Sequence, residues 1–306
     1  MLNTNSSFLR FQSILFICTN FILLTGCQST GLTTDNAILN KKAWVESCED
    51  WDLWDKPGPA FQIHGNSYYV GTCGISAILI TSDSGHVLID SGTEAGAKVV
   101  AANIKSLGFS LSDIKLLLHS HEHFDHVGGM AFLQQLSGAK LLTSSKAEPV
   151  ISTGIASDDD PQKTVLKPFL AAEVGGTVAH AEAIVLGDIE LTPFATPGHT
   201  PGALSWQWQS CENKICLDIV YADSLSPVSS DSYRFSDHPE YVKAYRSSLE
   251  ALSQLDCDII LAPHPSASQM RDRLSSQEGL IDSMGCKIYA QGVLNRLHQR
   301  LLKESS

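Results

Sequence analysis

The stretch Ser120-His121-Glu122-His123-Phe124-Asp125-His126 sets three imidazoles and two carboxylates within seven positions of a 306-residue chain that holds 11 histidines. Imidazole and carboxylate without thiolate suit Zn²⁺, and iron or manganese also accept this set. His121 and His123 are two apart, so an extended backbone points both rings to one side. Asp125 and His126 follow where Gly128-Gly129 turns the chain into a helix. An apolar core would reject such a cluster unless its polar atoms were bound.

Two more histidines stand in the same kind of place. His199 follows the apolar run 191–196, in a Pro-Gly turn, and His264 follows the run 257–263. All three sites lie just past strand-like runs, and loops carried on a rigid sheet are where chemistry is usually placed. Six ligands can therefore converge: His121, His123, His199, Asp125, His126 and His264. That is too many for one tetrahedral zinc and about right for two that share a water, whose pKa such a pair lowers toward about 7. The predicted chemistry is hydrolysis. His119 continues a strand and reads as a packed or hydrogen-bonded neighbour. Glu122 points away from the flanking ligands, toward solvent or a supporting role. His64, His86, His180, His238 and His298 read as turn or helix residues away from the strand ends.

The elements that must position these groups follow from pattern. Short strands separated by Gly-Asn and Asp-Ser-Gly turns occupy residues 61–92. Thr93 caps a helix reaching about Leu107, with Val99, Val100, Ile104 and Leu107 on one face and Gly108 as its stop. A buried strand, 114–119, runs straight into the histidine cluster, and a short helix follows Gly129. The second half repeats the scheme: a hairpin around Gly187-Asp188, a second hairpin around Cys211–Cys216, and an amphipathic helix with Pro239 in its first turn. A last buried strand, 257–263, and a helix from about Cys286 complete the chain. Strands followed by helix, twice, give an α/β architecture: two sheets face to face with helices outside, a four-layer αββα sandwich. Residues 28–42 read as a polar linker.

A formal charge of −12 and the lack of a basic stripe exclude nucleic acid as a partner. The N-terminus has one basic residue, Arg10, then an apolar stretch and the sequence Leu24-Thr25-Gly26-Cys27. It reads as a signal peptide over residues 1–26, followed by a single domain over 27–306. The four residues ending at Cys27 resemble a bacterial lipobox, which makes Cys27 a lipid anchor; ordinary cleavage nearby is the alternative. Either way the protein is exported, to the periplasm, and in the first case is held at a membrane as a lipoprotein. Beyond that segment six cysteines remain: Cys48, Cys73, Cys211, Cys216, Cys257 and Cys286. In an oxidising compartment they read as three disulfides, of which only Cys211–Cys216, across a tight turn, is indicated by spacing.

Taken in order along the chain, the segments NSYYVGTCGISAILITSDSGHVLIDSG, SHEHFDH, TPGHTPGALSW, YADSLS and DIILAPHPSAS resemble the metallo-β-lactamase superfamily, and within it subclass B3. The resemblance implies the metallo-β-lactamase fold. It implies that His121, His123 and His199 hold a first zinc, and that Asp125, His126 and His264 hold a second. Ser224 stands where subclass B1 has a zinc-binding cysteine, and with Ser226 it would bind the substrate carboxylate or an ordered water. The cysteine spacing resembles relatives paired Cys48–Cys73, Cys211–Cys216 and Cys257–Cys286. The implied activity is zinc-dependent opening of the β-lactam amide of penicillins, cephalosporins and carbapenems, conferring antibiotic resistance, with a small-molecule substrate and no protein partner. Asp125 would orient, or take a proton from, the attacking hydroxide. A thioester or lactone hydrolase of the same fold is the alternative; such enzymes often bridge both metals with an aspartate, and Asp223 sits close to that position. A metal-storing scaffold with a degenerate site is a third reading, disfavoured because all six ligands are present.

Overall fold

Alternation decides how this chain layers. In the strand Ile78–Ile80, Ile78 and Ile80 face one way and Leu79 the other, and all three are fully buried. A strand buried on both faces needs a partner on each side. The computed structural model, which describes residues 1–2 and 34–305, supplies both. Seven strands form the first sheet, hydrogen-bonded in chain order: β1 (Phe61–His64), β2 (Ser67–Tyr69), β3 (Ile78–Ile80), β4 (His86–Ile89), β5 (Ile114–Leu118), β6 (Lys140–Thr143) and β7 (Val174–Thr177). Five more form the second: β8 (Ile184–Leu186), β9 (Ile189–Ala195), β10 (Leu204–Glu212), β11 (Ile215–Tyr221) and β12 (Ile259–Leu261), in the order β12-β11-β10-β9-β8.

Ile78, Ile80 and Ile89 of the first sheet meet Trp206, Ile219 and Leu261 of the second in one buried cluster between the sheets. Leu79, Leu88 and Leu117 turn outward onto Val100 and Ile104 of α2 (Gly96–Ser106) and Met130 and Leu133 of α4 (Met130–Ser137). On the far side Val220 and Ile260 pack on Tyr245 and Leu249 of α6 (Pro239–Ser253) and Val293 of α8 (Gly285–Ser305). Between these helices in the sequence lie α3 (Phe124–Val127), α5 (Glu148–Thr153) and α7 (Met270–Ser275). The layers are helix, sheet, sheet, helix: the four-layer sandwich expected.

Strand direction gathers the loops that matter. β4, β5 and β6 run parallel, so Asp90 and the 120–126 cluster leave the first sheet at one edge. β9 and β11 are both antiparallel to β10, and β12 is parallel to β11, so residues 196–199, 222–226 and 262–264 leave the second sheet at a common edge as well.

Three details differ from the sequence reading. Residues 28–42 are not simply a linker, because α1 (Thr34–Ser47) begins at Thr34, buries Trp44 and packs against β1. Helix α2 opens at Gly96, although the Thr93 hydroxyl still accepts from the Gly96 N–H at 3.0 Å. His64 and His86 lie in β1 and β4 rather than in turns. Residues 3–33 lie outside the described residues, and with them the Leu24–Cys27 motif and nearly all of the signal segment. No helix among the described residues is long and apolar enough to cross a membrane.

Disulfides join Cys48 to Cys73, Cys211 to Cys216 and Cys257 to Cys286, with Cα–Cα distances of 5.2, 4.0 and 6.2 Å. The first fastens the end of α1 to the segment after β2; the third fastens the start of α8 to the segment before β12. Their sequence separations are 25, 5 and 29, so loop-closure entropy ranks them. Replacing Cys257 and Cys286 together with alanine should lower stability by about 3.5 kcal/mol, and replacing Cys211 and Cys216 by about 2 kcal/mol. Denaturant melts of the two double variants check the order; equal losses would contradict it.

Candidate metal centre

The end of β5 delivers His121 and His123 on an extended backbone, and His123 then opens the single turn α3, which carries Asp125 and His126. Donor atoms of His121, His123 and His199 lie within 4.8 Å of one another, and so do those of His121, Asp125 and His126. His264 joins the second group: its Nε2 is 3.5 Å from Asp125 Oδ2, which is 3.2 Å from His126 Nε2. The six residues singled out in the sequence thus meet in one place, across the edges of both sheets. All except His264 are buried.

Four of the five rings are held by something behind them. His121 Nδ1 is 2.7 Å from Asp223 Oδ1, and His123 Nε2 is 3.0 Å from Asp160 Oδ2. His199 Nδ1 lies 2.9 Å from the Ser226 carbonyl oxygen and 3.0 Å from its hydroxyl. Behind His126 stands Asp90, whose carboxylate accepts from the Ser120 N–H and hydroxyl and from the Tyr221 hydroxyl at 2.6–2.7 Å. Asp90 keeps this position with φ at +63°, a left-handed conformation that a residue with a Cβ rarely adopts.

These supports were legible only in part. Asp90 ends the apolar run Val87–Ile89, and an aspartate there, before Ser-Gly, was the available signal. Asp160 lies in the acidic loop 157–160, where nothing local points to a histidine 37 positions away. Asp223 stands behind His121 and is not among the clustered donors: one carboxylate oxygen faces His121 Nδ1 and the other accepts from the Leu225 N–H. Glu122 is not solvated. It is buried and accepts from the Thr200 hydroxyl and the Gly202 N–H at 2.7 and 2.8 Å, tying the His121 loop to the His199 loop. A Cβ at Gly202 would come within 2.7 Å of that carboxylate, which explains the glycine. His119 is packed as expected, with Nε2 2.7 Å from the Thr143 hydroxyl.

The electrostatics ask for a cation. Burial holds His121 well below the imidazole range, and burial with the neighbouring rings pulls His199 to about 3 and His264 to about 4. Neutral rings are what a metal requires. Against the opposing effect of burial, Asp125 and Asp90 raise His126 to about 10, and the surrounding histidines hold Asp125 well below the carboxylate range. The carboxylates thus hold positive charge in the cleft. Meanwhile His121 Nε2 and both His126 nitrogens are buried and make no hydrogen bond. Each such atom costs about 1–3 kcal/mol unless something binds it. A divalent cation fits this donor set, satisfying the orphaned nitrogens and the carboxylates together.

The cleft itself has a volume of about 850 Å³. Its floor carries His123, Asp125, His199 and His264, one wall carries Ser224 and Ser226, and an apolar rim is made by Trp51, Trp54, Phe124, Val165 and Val228. Trp54 packs on Phe124 with ring centroids 5.6 Å apart, and neither tryptophan was marked by any motif. The Ser224 hydroxyl is buried and unpartnered, whereas that of Ser226 is turned to His199.

The sequence profile of the Metallo-beta-lactamase superfamily matches residues 70–264, which spans β3 to β12 and all six donors. The chain belongs to the metallo-beta-lactamase superfamily. Among solved structures it is similar to the MIM-2 metallo-beta-lactamase, at 59% identity and a TM-score of 0.84, over 87% of this chain and 98% of that one. It is also similar to MEM-A1, a subclass B3 metallo-beta-lactamase isolated from a soil metagenome library, at 39% identity and a TM-score of 0.80, over 83% and 99%. Within the superfamily, then, the chain sides with subclass B3. Curated relatives are more distant: a hydroxyacylglutathione hydrolase of Bradyrhizobium sp. (strain ORS 278) is 24% identical over 161 residues, 50% of this chain. The chain spans about half the length of that relative, 54%.

The role of Asp223 can be measured. With the proton on His121 Nδ1 donated to Asp223, Nε2 is left free to bind a metal. Asp223→Ala should weaken zinc binding by roughly 10–100-fold in competition with a chromogenic chelator, and Asp223→Asn, which keeps an acceptor oxygen, should recover most of it. Unchanged affinity in the folded alanine variant would show that Asp223 does not orient the ring.

Proposed function

We propose that this cleft hydrolyses the β-lactam amide of penicillins, cephalosporins and carbapenems with two zinc ions, one held by His121, His123 and His199 and the other by Asp125, His126 and His264. The observation that carries the substrate assignment is Ser224: a buried, unpartnered hydroxyl on the wall beside the ligands, where neither a thiolate nor a bridging carboxylate stands. When bound, zinc in such a donor set polarises a carbonyl and brings the pKa of a water toward neutrality. The chain's own groups do the rest. Ser224 donates to the carboxylate shared by these substrates and fixes the ring over the floor of the cleft. Asp125, ionised, orients the attacking water and accepts its proton at a carboxylate oxygen. Trp54, Phe124 and Val228 cover the apolar faces of the substrate and limit solvent at the reacting carbonyl. Asp160, Asp223 and Ser226 hold the ligand rings in place, so little reorganisation is needed during reaction.

Enzymes of the rival activity, thioester or lactone hydrolysis, often bridge the metals with an aspartate, and here the Asp223 carboxylate bonds His121 Nδ1. The hydroxyacylglutathione hydrolase likeness is more distant and covers half of this chain. Its breadth of substrates and its action without a serine nucleophile would let the enzyme confer resistance to β-lactams. Leu24–Cys27 fits export to the periplasm and a lipid on Cys27.

Purified protein should bind up to two zinc ions and open all three β-lactam classes. Chelator should abolish turnover and zinc should restore it, and inhibitors that act by acylating a serine should have no effect. Ser224→Ala should weaken substrate binding by about 1–3 kcal/mol, seen mainly in KM, whereas Asp125→Ala should lower kcat. Efficient thioester cleavage with carbapenems left intact would replace this reading. For the anchor, fatty-acid labelling of cells should mark the wild type and not Cys27→Ala; no label in either would leave export without lipid.

A further inference from the structure

Beside the metal cleft lies a second, smaller cavity of about 170 Å³, open to solvent and lined by α8, by Ile260 of β12 and by Arg273 of α7. The two cavities share Ala267, Gln269 and Arg296 in their linings, so they adjoin at these residues. Gln269, at that junction, is held left-handed at φ +54°.

The charge in this side cavity is unbalanced. Arg296 is exposed, makes no hydrogen bond or ion pair among the described residues, and lines both cavities. Arg273 is anchored through Nη1 to the Ile260 carbonyl at 2.7 Å and through Nη2 to the Leu280 carbonyl, while its Nε is buried without a partner. The one carboxylate on the wall, Asp282, accepts from the Met284 N–H at 2.9 Å. Two guanidinium groups against one carboxylate leave a net positive hollow.

The helix keeps that hollow open. Tyr289, Gly292 and Arg296 are spaced at three and four along α8 and share a face. A glycine inside a helix costs about 1 kcal/mol relative to alanine, and nothing steric demands one at 292. A Cβ there would meet only Arg296 Nη1, at an ordinary 3.6 Å. What a larger side chain would remove is the space beside the guanidinium. Tyr289, on the same face, donates to the Ser224 carbonyl at 2.8 Å and so ties this wall to the substrate-binding serine.

We propose that the side cavity, with Arg296 at its junction with the metal cleft, is an anion subsite that takes a second carboxylate carried on a substrate's side chain. Ser224 receives the carboxylate that β-lactams have in common, so this assignment rests on the β-lactam reading of the cleft. A guanidinium offers a carboxylate two parallel N–H donors, and the charge of Arg273 in the cavity wall adds to the attraction. The volume suffices for a carboxylate and the few carbons that carry it.

The test compares benzylpenicillin with its α-carboxy derivative on the zinc-loaded protein. Arg296→Gln should raise KM for the carboxylated substrate about tenfold more than for the parent, with the difference in KM and not in kcat. Arg296→Lys should recover part of it, and high salt should shrink the wild-type preference. Gly292→Leu, which fills the cavity and alters no charge, should produce the same selective loss. Equal changes for both penicillins in Arg296→Gln, or none for either, would overturn the subsite. If the wild type opens neither penicillin, the β-lactam reading has failed by itself, and the subsite is read instead from calorimetric binding of inorganic sulfate. Binding by the wild type that is lost in Arg296→Gln supports it; equal or absent binding in the two overturns it.

Discussion

Buried imidazoles and carboxylates that face one another govern this molecule. His121, His123, His126, His199 and Asp125 are all withdrawn from water, and the ring centroids of His121 lie 4.1–4.9 Å from those of His126, His199 and His123. Without a cation among them, His121 Nε2 and both His126 nitrogens stay buried with no hydrogen-bond partner, and each represents a loss of stability. Packing elsewhere must therefore be strong enough to hold the cluster in place, and a metal returns part of that loss when it binds. Both demands are visible: two sheets buried on both faces, and a ring of carboxylates that favours positive charge at the centre.

The carboxylates also explain why the cleft needs two sheets. Asp90 comes from the end of β4, and Asp223 from the end of β11 in the opposite sheet; Asp160 comes from a loop over the cleft. Each presses on a different imidazole, so the rings are steered from three directions and no single loop decides their geometry. Glu122 does related work on the backbone, binding the His199 loop to the His121 loop across the sandwich. Such outer contacts determine which ring nitrogen carries the proton and which is free, and metal affinity follows from that choice.

Two neighbouring serines end up with different tasks although the motif presents them as a pair. Ser226 faces His199 and helps to orient it, while Ser224 keeps its hydroxyl free on the cleft wall. Helix α8 stands behind that wall, fastened to the segment before β12 through Cys257–Cys286 and to the Ser224 backbone through Tyr289. One element thus supports substrate recognition in the metal cleft and bounds the adjoining side cavity.

Much of the molecule was legible in the chain itself. Histidines 121, 123 and 126 with Asp125 are dictated by local spacing, and strand alternation at residues 78–89 demands cover on both faces. The doubly covered sheets follow, because apolar period and turn residues are local properties. The positions of His199 and His264 past apolar runs marked them as ligands for the same reason. What the chain could not state is which distant group stands behind each ring. Asp160 looks like part of a solvated acidic run, Glu122 like a residue facing either solvent or an unnamed supporting partner, and the segment before Trp44 like a linker, because nothing within a few positions reveals the contact each makes. Those contacts arise only when parallel strand ends from two sheets are brought to one edge, since hydrogen bonds and burial depend on distance in space rather than in sequence.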